Sequence, residues 1–185
     1  MQYLSSPVSK ISLVTTYIIL IVTGIINVAI VDYSYYMGDL FGEYNIIDLE
    51  LAGSVLQAKT ILDYWTNLGV IQWIYFNLGI DFLFIVTYTF FLFFACHTSA
   101  LQLKSFSFFI HLGLVIGWLQ PIAGILDLVE NYALIQVLSG SVDEIWPKLA
   151  SWCSMPKFSI ALSGLAYCVI ALTISTSSGL LSKMK

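Results

Sequence analysis

Residues 11–31 (ISLVTTYIILIVTGIINVAIV) carry no charged side chain, and the sequence returns to such stretches three more times. The second runs from Tyr64 to His97 with Asp81 as its one acid. The third extends from about Ser105 to Leu138, broken by Asp127 and Glu130, and the fourth from Phe158 to about Ser178. About 20 apolar residues suffice for a helix to cross the hydrocarbon of a bilayer, so each stretch predicts one span. Composition agrees: 59% of the residues are hydrophobic and 10% charged, where a soluble domain has about 25% charged. The expectation is an all-α, polytopic membrane protein, a four-transmembrane-helix bundle with an additional amphipathic helix in the first outer loop. The whole of residues 1–185 forms a single membrane domain, with spans at about 11–31, 69–96, 106–137 and 158–178 and outer loops at 32–68 and 138–157.

The first span is read as retained rather than cleaved. Its apolar run exceeds the roughly 7–15 residues of a signal-peptide core, and no A-x-A site follows. Lysines orient the bundle, because short loops rich in Lys and Arg stay on the cytoplasmic side. Lys10, Lys104, Lys183 and Lys185 fall with the termini. Asp32, Asp39, Glu43, Asp48, Glu50, Asp63, Asp143 and Glu144 crowd the opposite side, against Lys59, Lys148 and Lys157. Both termini are therefore expected in the cytoplasm, in a bacterial inner membrane. Tyr33, Tyr35, Tyr36, Tyr44, Tyr64, Trp65, Trp73, Tyr132, Trp146 and Trp152 gather at the outer ends, as an interfacial aromatic belt does. A net charge of -4 without one arginine leaves no basic stripe for nucleic acid.

Within residues 32–63, Asn45 and Asp48 form an N-cap, and Ile47, Leu51, Val55, Ala58 and Leu62 recur at helical spacing. That helix is either a lid over a cavity or a surface brace. Thr60 and Asp63 read as a capping box restarting the chain into span two. Pro121 and Gly124 are candidates for a kink in span three, and Pro156 suits the first turn of span four. Of the three cysteines, Cys96 falls at the inner end of span two, Cys153 in the outer loop and Cys168 within span four. Without C-x-x-C they suggest no thiol-disulfide chemistry.

Carboxylates inside spans are costly in hydrocarbon, so they face the interior, find partners or take up protons. Asp81 lies about 24 Å from the inner end of span two, and Asp127 about 30 Å up span three, at 1.5 Å per residue. Asn77 and Asp81 share a face of one span; Asp127, Glu130 and Asn131 share a face of the next. Lys157 is the natural counter-charge, and Asn27, Tyr88, Ser163 and Tyr167 are candidates to complete the lining, with Ser159 beside them. The alternatives are that Asp127 and Glu130 only cap a span end, and that Asp81 only glues two helices. No metal is expected, because Lys157 stands among the acids. No haem or other cofactor is expected either, with His97 placed in the inner loop near His111. No G-x-S-x-G, H-E-x-x-H or phosphate-binding glycine loop occurs.

The run Leu78-Gly79-Ile80-Asp81-Phe82-Leu83-Phe84-Ile85-Val86-Thr87-Tyr88, then Asp127-Leu128-Val129-Glu130-Asn131, then Lys157-Phe158 resembles a family of small bacterial four-span membrane proteins to which no activity is assigned. Those proteins pair an L-x-x-D-F-x-F span with a D-x-x-E-N span. The resemblance covers spans two to four and implies a shared membrane fold with these polar residues as its signature. A fainter similarity, resting on span count and intramembrane acids, is to EXPERA-type four-span proteins. There, carboxylates in a membrane cavity meet a cationic or carbocationic ligand.

Three readings follow. An outward polar pocket binds a small lipid-like or cationic ligand, with proton coupling among Asp81, Asp127 and Glu130. A membrane lipid-modifying enzyme of the isomerase kind uses one acid as donor and another as acceptor. An accessory or assembly subunit uses the cluster only to fix its bundle. The expected partners are membrane lipids, a small hydrophobic ligand, and a homo-oligomer or a larger membrane complex.

Overall fold

The computed structural model describes residues 13–103 and 107–183, with side chains for 14–103 and 107–176. Lys10, Lys104 and Lys185, on which the orientation leans, lie outside the described residues, as does the side chain of Lys183. The described chain is all-helical: α1 Leu13–Phe41, α2 Ile46–Glu50, α3 Val55–Leu68, α4 Ile71–Gln102, α5 Ser107–Leu138 and α6 Ile145–Lys183. Four of these, α1, α4, α5 and α6, are long and apolar enough to cross a membrane. They form the bundle; α2 and α3 sit together at one end of it, in the α1–α4 connection.

Helix boundaries follow caps rather than the edges of the uncharged stretches. α1 continues past Val31 through Asp32 and the tyrosines to Phe41, because the first residue that turns the chain is Gly42, at φ 75°. Asp32, Tyr35 and Asp39 therefore belong to a helix and not to a loop. At α2, Asn45 accepts from the Asp48 amide at 3.2 Å, and Asp48 accepts from the Asn45 amide at 2.7 Å. This is the reciprocal cap expected from the sequence. The single amphipathic helix, however, is two helices. The first ends at its C-cap Leu51, Gly53 at φ 67° turns the chain, and Ser54 caps the second by accepting from the Gln57 amide.

Thr60 and Asp63 lie inside α3, and the Thr60 hydroxyl donates back to Leu56 O. The restart into α4 comes instead after Gly69, which closes α3 in the left-handed region. α6 starts at Ile145, well before 158, after Asp143 accepts from the Ile145 amide. The proline in its first turn is Pro147, where a missing N–H costs no helical bond. Pro156 lies in the helix interior, and α5 likewise continues through Pro121.

The largest core, at the α2–α3 end, joins Phe41, Leu49, Ile61, Trp65, Ile74 and Leu134. Trp65 is a core residue rather than part of a belt; its indole N–H donates to Phe41 O at 3.2 Å and so satisfies the end of α1. Tyr35, Tyr36, Trp73, Tyr132 and Trp152 are exposed near that end. α5 packs along both α4 and α6, whereas α1 packs along α4 and barely touches α6. Only 6% of the apolar window of α1 is buried, against 33% in α4 and α5.

Candidate functional site

Lys157, next to Pro156 in the interior of α6, is buried in the bundle. Its ammonium donates to Asp127 Oδ1 at 2.7 Å and to Glu130 Oε1 at 2.8 Å. Glu50 Oε2 stands 3.8 Å away, within ion-pair range but too far for a hydrogen bond. The Phe158 ring lies 4.9 Å from the same nitrogen. Asp127 accepts a second bond from the Tyr88 hydroxyl at 3.0 Å, and Asp81 accepts from the Asn131 amide at 2.7 Å. Helical spacing accounts for the α5 contribution: positions i, i+3 and i+4 put Asp127, Glu130 and Asn131 on one face. Glu130 and Asn131 are 0% and 1% exposed, Lys157 5% and Glu50 7%.

Glu50 is the member that the sequence did not disclose. It reads there as one more loop acid, yet α2 turns Leu49 and Glu50 inward together while Ile47 and Leu51 remain exposed. The signal that could have found it is the Asn45–Asp48 cap, which fixes the start of α2 and so places Glu50 in its last turn, next to the sharp turn at Gly53. Burial pushes the Glu50 carboxyl up to about 9; Lys157 opposes that shift, and the Glu130 and Asp81 carboxylates add to it. Glu50 Oε2 and Glu130 Oε2 are buried without a hydrogen-bond partner. Four carboxyl groups share a single ammonium, and even with Glu50 protonated below about pH 9 the other three, Asp81, Asp127 and Glu130, outnumber it.

This cluster forms one wall of a cavity of about 940 Å³. Asn27, Val28 and Val31 of α1 line one flank, and Phe158, Leu162 and Leu165 of α6 the other. α4 forms the back through Asp81, Phe84 and Tyr88, and Glu50 closes the α2 end. Because α1 and α6 hardly touch, the cavity opens sideways between them, through exposed Val28, Val31, Leu162 and Leu165.

The candidate residues divide accordingly. Asp81, Asp127, Tyr88, Lys157 and Asn27 line the cavity, and Asn27 accepts from the Thr87 hydroxyl at 2.6 Å. Glu130 and Asn131 support the wall from behind through Lys157 and Asp81. Asn77, half-buried one turn from Asp81, is not part of the lining. Ser163 donates to Ile160 O of its own helix, and Ser159 to Met155 O. Tyr167 donates to Phe109 O, far down the bundle. α6 lines the cavity with Phe158, Ala161, Leu162 and Leu165, and at 3.6 residues per turn Ser159, Ser163 and Tyr167 lie on another face of that helix. His97 is not a loop residue either. It is buried in α4 against Phe93 and Trp118. Cys153 is buried within α6 and not in a loop, while Cys96 and Cys168 meet across α4 and α6 at 3.8 Å.

The Lys157 ammonium stands at the centre of the carboxylates, where a bound cation would otherwise sit. No family model, curated protein or solved structure matches this chain.

Proposed function

We propose that this integral membrane protein takes an amphiphile with a cationic or hydrogen-donating head from the bilayer through the gap between α1 and α6. The observation that carries this reading is the asymmetry of the cavity. Its flanks are mainly aliphatic and aromatic, with Asn27 and Asp32 on the α1 side, and the wall that holds Lys157 carries more carboxyl groups than lysines. An apolar body fits the flanks and a positive head answers the charge deficit, as in other sites lined mainly by apolar residues with a few convergent polar ones. Head binding and protonation of the carboxyl groups compete, because both neutralise the same buried charge. The residues that carry the resemblance to the small bacterial four-span family, Asp81, Asp127, Glu130, Asn131 and Lys157, are also those of this wall. Kinship with that family is part of the proposal.

The test is retention of hexadecylamine, hexadecanol and hexadecanoate by the protein in phosphatidylcholine nanodiscs, read by native mass spectrometry. The amine is expected to be retained best and to lose its advantage in Asp81→Asn. Equal retention of the three, unchanged by that substitution, contradicts the reading. The proposed orientation puts the α2–α3 end outside the cytoplasm. A cysteine placed at exposed Val142 should then react with an impermeant maleimide on intact cells, and protection until lysis reverses the topology.

One observation favours a second reading, that of an assembly subunit: α1 leaves most of its surface uncovered. In that case a partner helix fills the gap, and the protein leaves native membranes in a stoichiometric complex that excludes all three probes.

A further inference from the structure

The three cysteines form no C-x-x-C motif, yet the fold brings two of them together. Cys96 of α4 and Cys168 of α6 stand with their sulfurs 3.8 Å apart, in the small apolar cluster that includes Tyr167 and Ala171. The Cys96 sulfur also lies 3.6 Å from Gly164 O, one turn before Cys168, so α4 packs directly on α6 at this level. A disulfide joins its sulfurs at about 2.05 Å, and the two thiols need to close by less than the length of one such bond.

Their place in the fold decides what can reach them. On α4 the lining of the cavity ends at Leu92, and on α6 at Leu165. Cys96 is four residues beyond the first and Cys168 three beyond the second, so each stands one turn past the lining on its own helix. Asp81, in the polar wall, is about 22 Å back along α4 at the helical rise. The pair is therefore at the apolar end of the cavity. The two thiols differ in exposure. Cys96 is 0% exposed, whereas Cys168 is partly exposed and flanked by exposed Leu165, Val169 and Leu172. The Ser99 side chain hydrogen-bonds the Cys168 sulfur. A reagent dissolved in the bilayer reaches Cys168 first, and Cys96 only through it.

We propose that Cys168 and Cys96 form an oxidisable dithiol whose oxidant is a lipid hydroperoxide. The Cys168 sulfur attacks the terminal oxygen of the hydroperoxide. An S–O bond forms, the O–O bond breaks, and the thiol proton leaves with the alkoxide as an alcohol, which puts Cys168 at the sulfenic acid stage. Cys96 then attacks the Cys168 sulfur. An S–S bond forms, the S–O bond breaks, and hydroxide leaves with the Cys96 proton as water. Two thiols are oxidised to one disulfide and one hydroperoxide is reduced to an alcohol, with no further reactant. The choice of oxidant follows from the route: the aliphatic side chains around Cys168 admit a peroxidised lipid chain, whereas a water-borne oxidant must give up its hydration to enter. The disulfide ties α6, one flank of the cavity, to α4, its back. No step involves Lys157 or its carboxylates, so this site goes beyond amphiphile binding, and failure of either reading leaves the other standing.

The experiment places the reduced full chain in phosphatidylcholine nanodiscs containing a peroxidised phosphatidylcholine and reads intact mass and protease-released peptides. The expected product has lost two hydrogens, with a Cys96 peptide joined to a Cys168 peptide. In Cys96→Ser the reaction should stop at a Cys168 sulfenic acid that dimedone captures, and in Cys168→Ser the Cys96 thiol should stay free. Hydrogen peroxide at the same concentration should act several-fold more slowly. Wild-type protein that forms no joined peptide overturns the proposal without recourse to any variant. So do dimedone capture at Cys96 in Cys168→Ser, and equal rates with the two oxidants.

Discussion

Lys157 is the residue on which the buried cluster depends. Removing its ammonium leaves Asp127, Glu130 and Glu50 facing one another without a counter-charge, and breaking a buried ion pair from one side costs about 3–5 kcal/mol. Lys157→Met is therefore expected to destabilise the bundle by about that amount in denaturation by dodecyl sulfate in mixed micelles. A loss below about 1 kcal/mol would place the group in the range of solvated surface pairs. Glu50 gives the pH dependence. Its folded value near 9 lies above its ordinary 4.5, so between these values the folded state holds a proton that the unfolded state has released. Stability linked to Glu50 is then full below about pH 4.5 and declines as pH rises towards about 9. Glu50→Gln should flatten that decline in a pH series of unfolding curves. An unaltered slope means that Glu50 titrates as an ordinary solvated acid.

Among the elements, α5 is held most closely, because its glycines seat side chains from α4 and α6. A Cβ at Gly117 would collide with the His97 ring, and overpacking of this kind costs about 1–3 kcal/mol. Gly117→Val should lower the unfolding midpoint accordingly, whereas Gly79→Ala, with open space around it, should not. The existence of the four spans was legible in the sequence, since hydropathy over a bilayer's thickness is a property of the segment alone. Their ends were not. Gly42, Ser54, Gly69 and Asp143 set the boundaries through single turns and caps, while charges such as Asp32 and Asp39 enter a helix without stopping it. The face of α5 could be read because i, i+3 and i+4 hold wherever the helix starts. Whether Ser163 and Tyr167 reach the cavity could not, because that depends on which face of α6 looks into the gap from α1.

For the whole molecule, the decisive feature is the separation of α1 from α6, which no local pattern in the sequence encodes. It depends on α1 packing, among the long helices, chiefly along α4, and on α2 carrying Glu50 across to Lys157 at the end of the gap. The result is a cavity open at its side between α1 and α6, with Lys157 and most of its carboxyl groups on one wall. Photolabelling tests that arrangement most directly. Hexadecylamine bearing a diazirine on its chain is irradiated with the protein in phosphatidylcholine nanodiscs, and the labelled residues are mapped by peptide mass spectrometry. Labels concentrated on Val28, Val31, Leu162 and Leu165, displaced by unlabelled amine and lost in Asp81→Asn, are the expected result. Labels spread equally over other exposed apolar positions such as Val115 and Ile125, and unchanged by that substitution, would contradict it.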